Sequence, residues 1–134
     1  MNIRSFKPGI ESVHQIQEFV RETFPVFAGN PNKLLKIDLV IEEIVVNIVR
    51  YGCLGIDNCV IDVGLDTKDN KMILEISDSG SAFNPLEQEA PDVKSGLDQR
   101  RPGGLGIFLV KQIANEIQYE RRNNKNILRL SLDL

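Results

Sequence analysis

The chain has 134 residues, 42% of them hydrophobic and 26% charged, with a formal net charge of -3. That composition excludes a disordered segment and disfavours general nucleic-acid binding, and the length suits one domain over residues 1–134. The first residues lack the apolar run of a signal peptide and no stretch approaches the roughly 20 residues of a membrane span, so a cytoplasmic protein with no membrane partner is expected.

The elements read in chain order as follows. Asn2 to Lys7 alternates polar and apolar residues and ends at Pro8-Gly9, a short strand and turn. Val13, Ile16, Phe19, Val20, Phe24 and Phe27 then recur at helical spacing, which predicts an amphipathic helix over about Glu11 to Phe27, bent or ended at Pro25. His14, the one histidine, falls on its polar side as a surface residue. A second helix starts near Pro31 or Asn32 and runs to about Arg50. It is apolar nearly all round, as expected of a helix buried on more than one side. Val60 to Asp66 and Lys71 to Ser77 form a hairpin around Lys68-Asp69-Asn70. Asp78 to Pro102 lacks periodicity and is rich in Gly, Pro, Ser and Asp, a long connection of the kind that carries function. A third helix opens at Gly103 and continues to about Glu116. A strand over Glu116 to Arg122, a turn at Asn123-Asn124-Lys125-Asn126 and a closing strand from Ile127 complete the chain. The order predicts an α+β two-layer sandwich, three main helices on one face of a mixed, mostly antiparallel sheet.

Two cysteines, Cys53 and Cys59, match no zinc or redox spacing and are expected as free, half-buried thiols. Tyr51 and Tyr119 read as packing residues with wet tips.

Three local patterns carry candidate chemistry. Glu43 and Asn47 lie one helical turn apart on the apolar second helix, with Arg50 near the same line. An ionised Glu there is costly unless paired. The Asn47 carbonyl oxygen is a hard ligand suited to Mg2+, and the Glu43 carboxylate suits a general base. The other reading is a solvated helix edge, with Glu42 or Glu43 paired to Lys36 or Arg50. Asp78 ends a strand, where its carboxylate can accept from an exocyclic amine such as that of adenine. Gly80 lets a flat ring approach the backbone and Phe83 can line the base pocket. The other reading is an ordinary strand-terminating turn. Gly103-Gly104-Leu105-Gly106 opens a helix with three glycines in four positions, a start whose free amides form an anion site. The spacing matches neither a Walker loop nor a dinucleotide fingerprint, and a flexible hinge is the other reading. Lys94, Arg100 and Arg101 precede it, either as phosphate partners or as solvated loop charges.

The order Glu43-(x)3-Asn47, Asp78-x-Gly80, then Gly103-Gly104-Leu105-Gly106 resembles the N, G1 and G2 boxes of the GHKL ATPase superfamily. Within it the chain is similar to the compact anti-sigma factor serine/threonine kinases of bacterial sporulation and stress switches. The resemblance covers nearly the whole chain. It implies that Glu43 is the general base for a protein hydroxyl and that Asn47 binds Mg2+. It implies that Asp78 bonds the adenine amine with Gly80 beneath the ring, that Gly104 and Gly106 sit at the phosphates of ATP, and that about Leu86 to Pro102 forms the ATP lid. By resemblance, an anti-anti-sigma factor would be phosphorylated, a sigma factor bound, and the protein a homodimer. A non-catalytic module of the same fold, sensing nucleotide and binding a partner, is the alternative function.

Overall fold

The computed structural model describes residues 1–87 and 104–134, and side chains in the second stretch from Gly106 onward. The elements are β1 (Asn2–Phe6), α1 (Ile10–Thr23), α2 (Pro31–Asn47), β2 (Ile61–Lys68), β3 (Lys71–Asp78), α3 (Gly104–Ile113), β4 (Glu116–Arg122) and β5 (Lys125–Asp133). The strands form one sheet in the order β1-β2-β3-β5-β4, and every adjacent pair is antiparallel.

Local chemistry sets the helix ends. α1 stops at Thr23, and Pro25 opens a separate 3-10 turn over Pro25–Gly29, earlier than the expected end at Phe27. Asn30 caps α2, its side chain accepting from the Lys33 amide at 3.1 Å, with Pro31 in the first helical position. The α-helix ends at Asn47 and continues as a π turn, Ile48–Gly52. Such turns recur at functional sites. Both hairpins use two consecutive residues of positive φ, Asp69-Asn70 and Asn123-Asn124, as a two-residue turn with matched strand twist requires. Asn126, expected in the second turn, is already in β5.

The core lies between the helices and one face of the sheet. Ile61, Val63, Leu65, Met72, Leu74, Ile76, Leu128, Leu130 and Leu132 project from the three central strands onto Val13, Ile16, Phe19 and Val20 of α1 and Ile37, Ile41, Ile44 and Val45 of α2. α2 is the middle helix, packed on α1 and α3. Between α1 and α2, Arg21 pairs with Asp38 at 2.6 Å and the Gln17 amide donates to the Asp38 carbonyl at 3.1 Å. His14 is exposed, as expected.

The strand register decides where the apolar face ends. Val63, Ile76 and Leu128 lie side by side across β2, β3 and β5, and the next row is Ile61, Asp78, Asn126 and Arg121. Asp78 and Asn126 keep the phase of the core-facing positions, so the sheet presents two polar side chains at the rim of its own core.

Cys53 and Cys59 form a disulfide, which overturns the expectation of free thiols. The chain reverses between the π turn and β2 and returns the two residues to a Cα–Cα distance of 5.7 Å, within bridging range. The six-residue separation shows nothing of that reversal. Among the described residues, no helix is long and apolar enough to cross a membrane.

Candidate functional site

The polar row at the end of the sheet forms one half of the site. Asp78 is 4% exposed, and its Oδ1 accepts from the Gly80 amide at 3.0 Å and from Asn126 Nδ2 at 3.0 Å. Burial raises the Asp78 pKa, opposed by the Asn126 and Gly80 hydrogen bonds and by the Arg121 charge. Arg121 also donates to the Gly80 carbonyl at 2.8 Å. Gly80 lies so close to Gly52 that a Cβ would collide with the Gly52 carbonyl oxygen.

Asn126 is the residue that sequence reasoning missed. Its amide donates to Asp78 and to the Ser81 carbonyl at 2.7 Å, and its oxygen accepts from the Phe83 amide at 3.0 Å and the Tyr119 hydroxyl at 2.6 Å. Both donors and both lone pairs are used. One signal was available, because Asn126 shares the alternation of Leu128, Leu130 and Leu132 and so faces inward.

Phe83 lies at a small pocket with Ile44, Asn47, Ile48, Gly52, Ile76, Asp78, Pro85, Tyr119, Asn126 and Leu128. Tyr51 stacks on the Phe83 ring at 4.7 Å between centroids. The pocket has a volume of about 20 Å³, room for about one water molecule, so a purine enters only if Phe83 or its neighbours move.

The other half of the site lies on α2. Asn47 is 2% exposed, and neither its Oδ1 nor its Nδ2 has a hydrogen-bond partner. Glu43 is half-buried, and its Oε1 is likewise unpartnered. The burial of Asn47 sets that position apart from a solvated helix edge, while Glu43 is partly exposed. Among the described residues, no ion pair joins Glu43 to Lys36 or Arg50. Burial raises the Glu43 pKa. The Asn47 amide and then the Arg50 charge oppose that shift, and Glu42 adds to it. Asn47 thus favours the charged carboxylate by proximity, although the two do not meet in hydrogen-bond geometry.

The helix start completes the arrangement. A Cβ on Gly106 would overlap the Glu43 carboxylate, so α3 approaches α2 here on the strength of a missing side chain. Gly104 and Leu105 lie in the first turn of α3, and Gly103 lies outside the described residues. Lys94, Arg100, Arg101 and the expected lid beyond Glu87 also lie outside them; Leu86 and Glu87 belong to a short 3-10 turn, Pro85–Glu87. A groove of about 370 Å³ runs between α2 and α3, lined by Leu39, Glu43, Val46, Arg50, Gly106 and Leu109 among others.

Glu43 therefore meets Gly106 of α3, and Asn47, one helical turn on, borders the Asp78 pocket. The arrangement offers a half-buried carboxylate whose pKa burial raises, a buried amide with neither polar atom paired, and a second, buried carboxylate at the end of the sheet.

Known proteins share this frame. The serine/threonine-protein kinase BtrW of Bordetella bronchiseptica is 28% identical over 95 residues, 71% of this chain and 67% of that protein. The solved RsbU and RsbW domains of Rv1364c from Mycobacterium tuberculosis superpose with a TM-score of 0.61 at 13% identity, over all of this chain and 33% of that one. The SiaB-SiaC complex from Pseudomonas aeruginosa contains a chain matching at a TM-score of 0.56 and 11% identity, over 98% of this chain and 89% of that one. The family model described as the histidine kinase-like ATPase domain matches residues 6–132, and the chain belongs to that family.

Proposed function

We propose that this domain binds Mg-ATP and transfers the γ-phosphoryl group to a serine or threonine hydroxyl of a partner protein. The observation that carries the reading is the pair of unpartnered buried groups on α2, Asn47 and the Glu43 Oε1. Buried polar atoms are rarely left unpaired, and a bound water, an ion, local strain or a catalytic role accounts for those that are; an ion and a catalytic role are the uses this reading assigns to Asn47 and Glu43. Family membership implies ATP as the nucleotide.

In this reading the Asp78 carboxylate, steadied by Asn126 and the Gly80 amide, accepts from the adenine amine, and Gly80, which packs on the Gly52 backbone, lies beneath the ring. Phe83 lines the base pocket. Gly103, Gly104, Leu105 and Gly106 provide the helix start that takes the phosphates. The Asn47 oxygen would hold Mg2+, which when bound neutralises charge on the phosphates. Glu43 takes the proton of the attacking hydroxyl as its oxygen bonds to the γ-phosphorus and ADP leaves. A raised Glu43 pKa makes the carboxylate a stronger base near neutral pH.

The partner in this reading is an anti-anti-sigma factor-like protein, with a sigma factor as the protein held back, and the working form is a cytoplasmic homodimer. Support comes from the kinase named among the relatives and from the RsbW domain among the solved structures. The test is labelled ATP with candidate partners: Glu43→Gln is expected to bind ATP and incorporate no phosphate. Equal incorporation by Glu43→Gln removes the base assignment. Partner binding without phosphate transfer by the unaltered protein replaces the kinase reading with a nucleotide-sensing module.

A further inference from the structure

Cys53 and Cys59 take no part in this chemistry, yet their bridge lies against the carboxylate assigned to adenine. The two sulfurs and an Asp78 carboxylate oxygen all lie within 4.8 Å of one another. The bridge closes a loop whose two flanks both hold the Asp78–Ser81 turn. On one flank the Gly52 carbonyl accepts from the Ser81 amide at 2.7 Å, and the Gly52 backbone is so near Asp78 that a Cβ would lie 2.9 Å from Oδ1. On the other flank the Val60 amide donates to Ser79 Oγ at 3.0 Å, and its carbonyl accepts from the Ser79 amide at 3.2 Å. Little else anchors the loop: Leu54 is 71% exposed, Ile56 40%, and Gly55 sits at φ 72. The disulfide therefore fixes the spacing between two grips on one turn.

We propose that the Cys53–Cys59 bridge is a redox control on nucleotide binding, the oxidised form holding the adenine pocket in order and the reduced form loosening it. The inference rests on the assignment of Asp78 and Gly80 to adenine. Cys53 is half-buried and open to a reductant, whereas Cys59 is buried. The reductant is a dithiol. One of its thiolates attacks a bridge sulfur and the S–S bond breaks. Its second thiol resolves the mixed disulfide, and two electrons and two protons end on Cys53 and Cys59 as thiols while the reductant leaves as its own disulfide. Disulfides that form in a reducing compartment are commonly of this sensing kind. If the opened loop keeps the Gly52–Ser81 arrangement about a tenth of the time, the apparent Kd for ATP rises about tenfold.

The experiment is an ATP titration by calorimetry, with magnesium, on air-oxidised protein, on dithiothreitol-treated protein and on the Cys53→Ser/Cys59→Ser double variant. Oxidised protein is expected to bind about tenfold more tightly than the other two, and the double variant to ignore dithiothreitol. Amide exchange at Ser79, Gly80 and Ser81 is expected to quicken on reduction while circular dichroism stays unchanged. Equal affinities in all three forms, or no disulfide by mass after air oxidation, overturn the proposal and leave the adenine assignment standing. No saturable binding in any form overturns both.

Discussion

Asn126→Ala is the substitution with the most to say about the site. The truncation removes bonds to Asp78, the Ser81 carbonyl, the Phe83 amide and the Tyr119 hydroxyl. Of these, the contact with Asp78 is fully buried and the other three are partly buried. Losing a buried bond to a charged group costs roughly 1.5–3 kcal/mol, and three bonds that water can partly replace add about 0.5 kcal/mol each. The expected loss is about 3–4.5 kcal/mol near neutral pH, read by urea unfolding with a check that the slope is unchanged. The pH dependence carries a sign. The Asn126 bond favours the charged form of Asp78, so its contribution is present above the Asp78 pKa and fades as pH falls through that burial-raised value. The gap between wild type and variant should therefore narrow in acid. Asn126→Asp should lose more than the alanine variant, because it sets a second carboxylate against Asp78. A loss under about 0.5 kcal/mol at neutral pH, or an aspartate variant as stable as wild type, would refute the claim that Asn126 organises this pocket.

Other outcomes follow from the same contacts. Gly106→Ala replaces a helical glycine, which by propensity alone gains roughly 1 kcal/mol, but its Cβ displaces the Glu43 carboxylate; phosphate transfer should fall at least about tenfold with little change in thermal stability. Gly80→Ala meets the Gly52 backbone, which cannot swing aside, and should cost about 1–3 kcal/mol together with ATP affinity, measured by unfolding and titration. The rate of transfer should rise with pH along an acid limb whose midpoint lies above the ordinary glutamate range, since Glu43 must lose a proton that burial retains. The stability contribution of Glu43 has the opposite trend: a pKa raised on folding favours the native state at low pH, and that gain is lost as pH rises through the folded value.

Periodicity made most of the fold legible. The inward residues of β2, β3 and β5 alternate cleanly, and a helix apolar nearly all round proved to be the central one, packed on two others and the sheet. The candidate site was legible where residues break the local pattern. Glu43 and Asn47 stand out because they interrupt an apolar helix, and the glycines stand out because they begin one. Asn126 stayed hidden because Asn is ordinary beside a turn, and its register against Asp78 is a long-range pairing that local chemistry does not encode. The disulfide stayed hidden for a related reason: the return of Cys59 to Cys53 depends on how the loop leaves the π turn. The register and the helix approach also gave Gly106 a second reason to be glycine. It was read as room for a phosphate, and what the fold shows there is the Glu43 carboxylate.

The most direct measurement of the central claim is an ATP titration of the purified chain with and without millimolar magnesium, repeated on Asn47→Ala and Asp78→Asn. Wild type should bind saturably and more tightly with magnesium. Asn47→Ala should lose the magnesium effect while remaining folded, and Asp78→Asn should lose affinity in both conditions. No saturable binding by the wild type, or identical magnesium dependence in Asn47→Ala, would contradict the account.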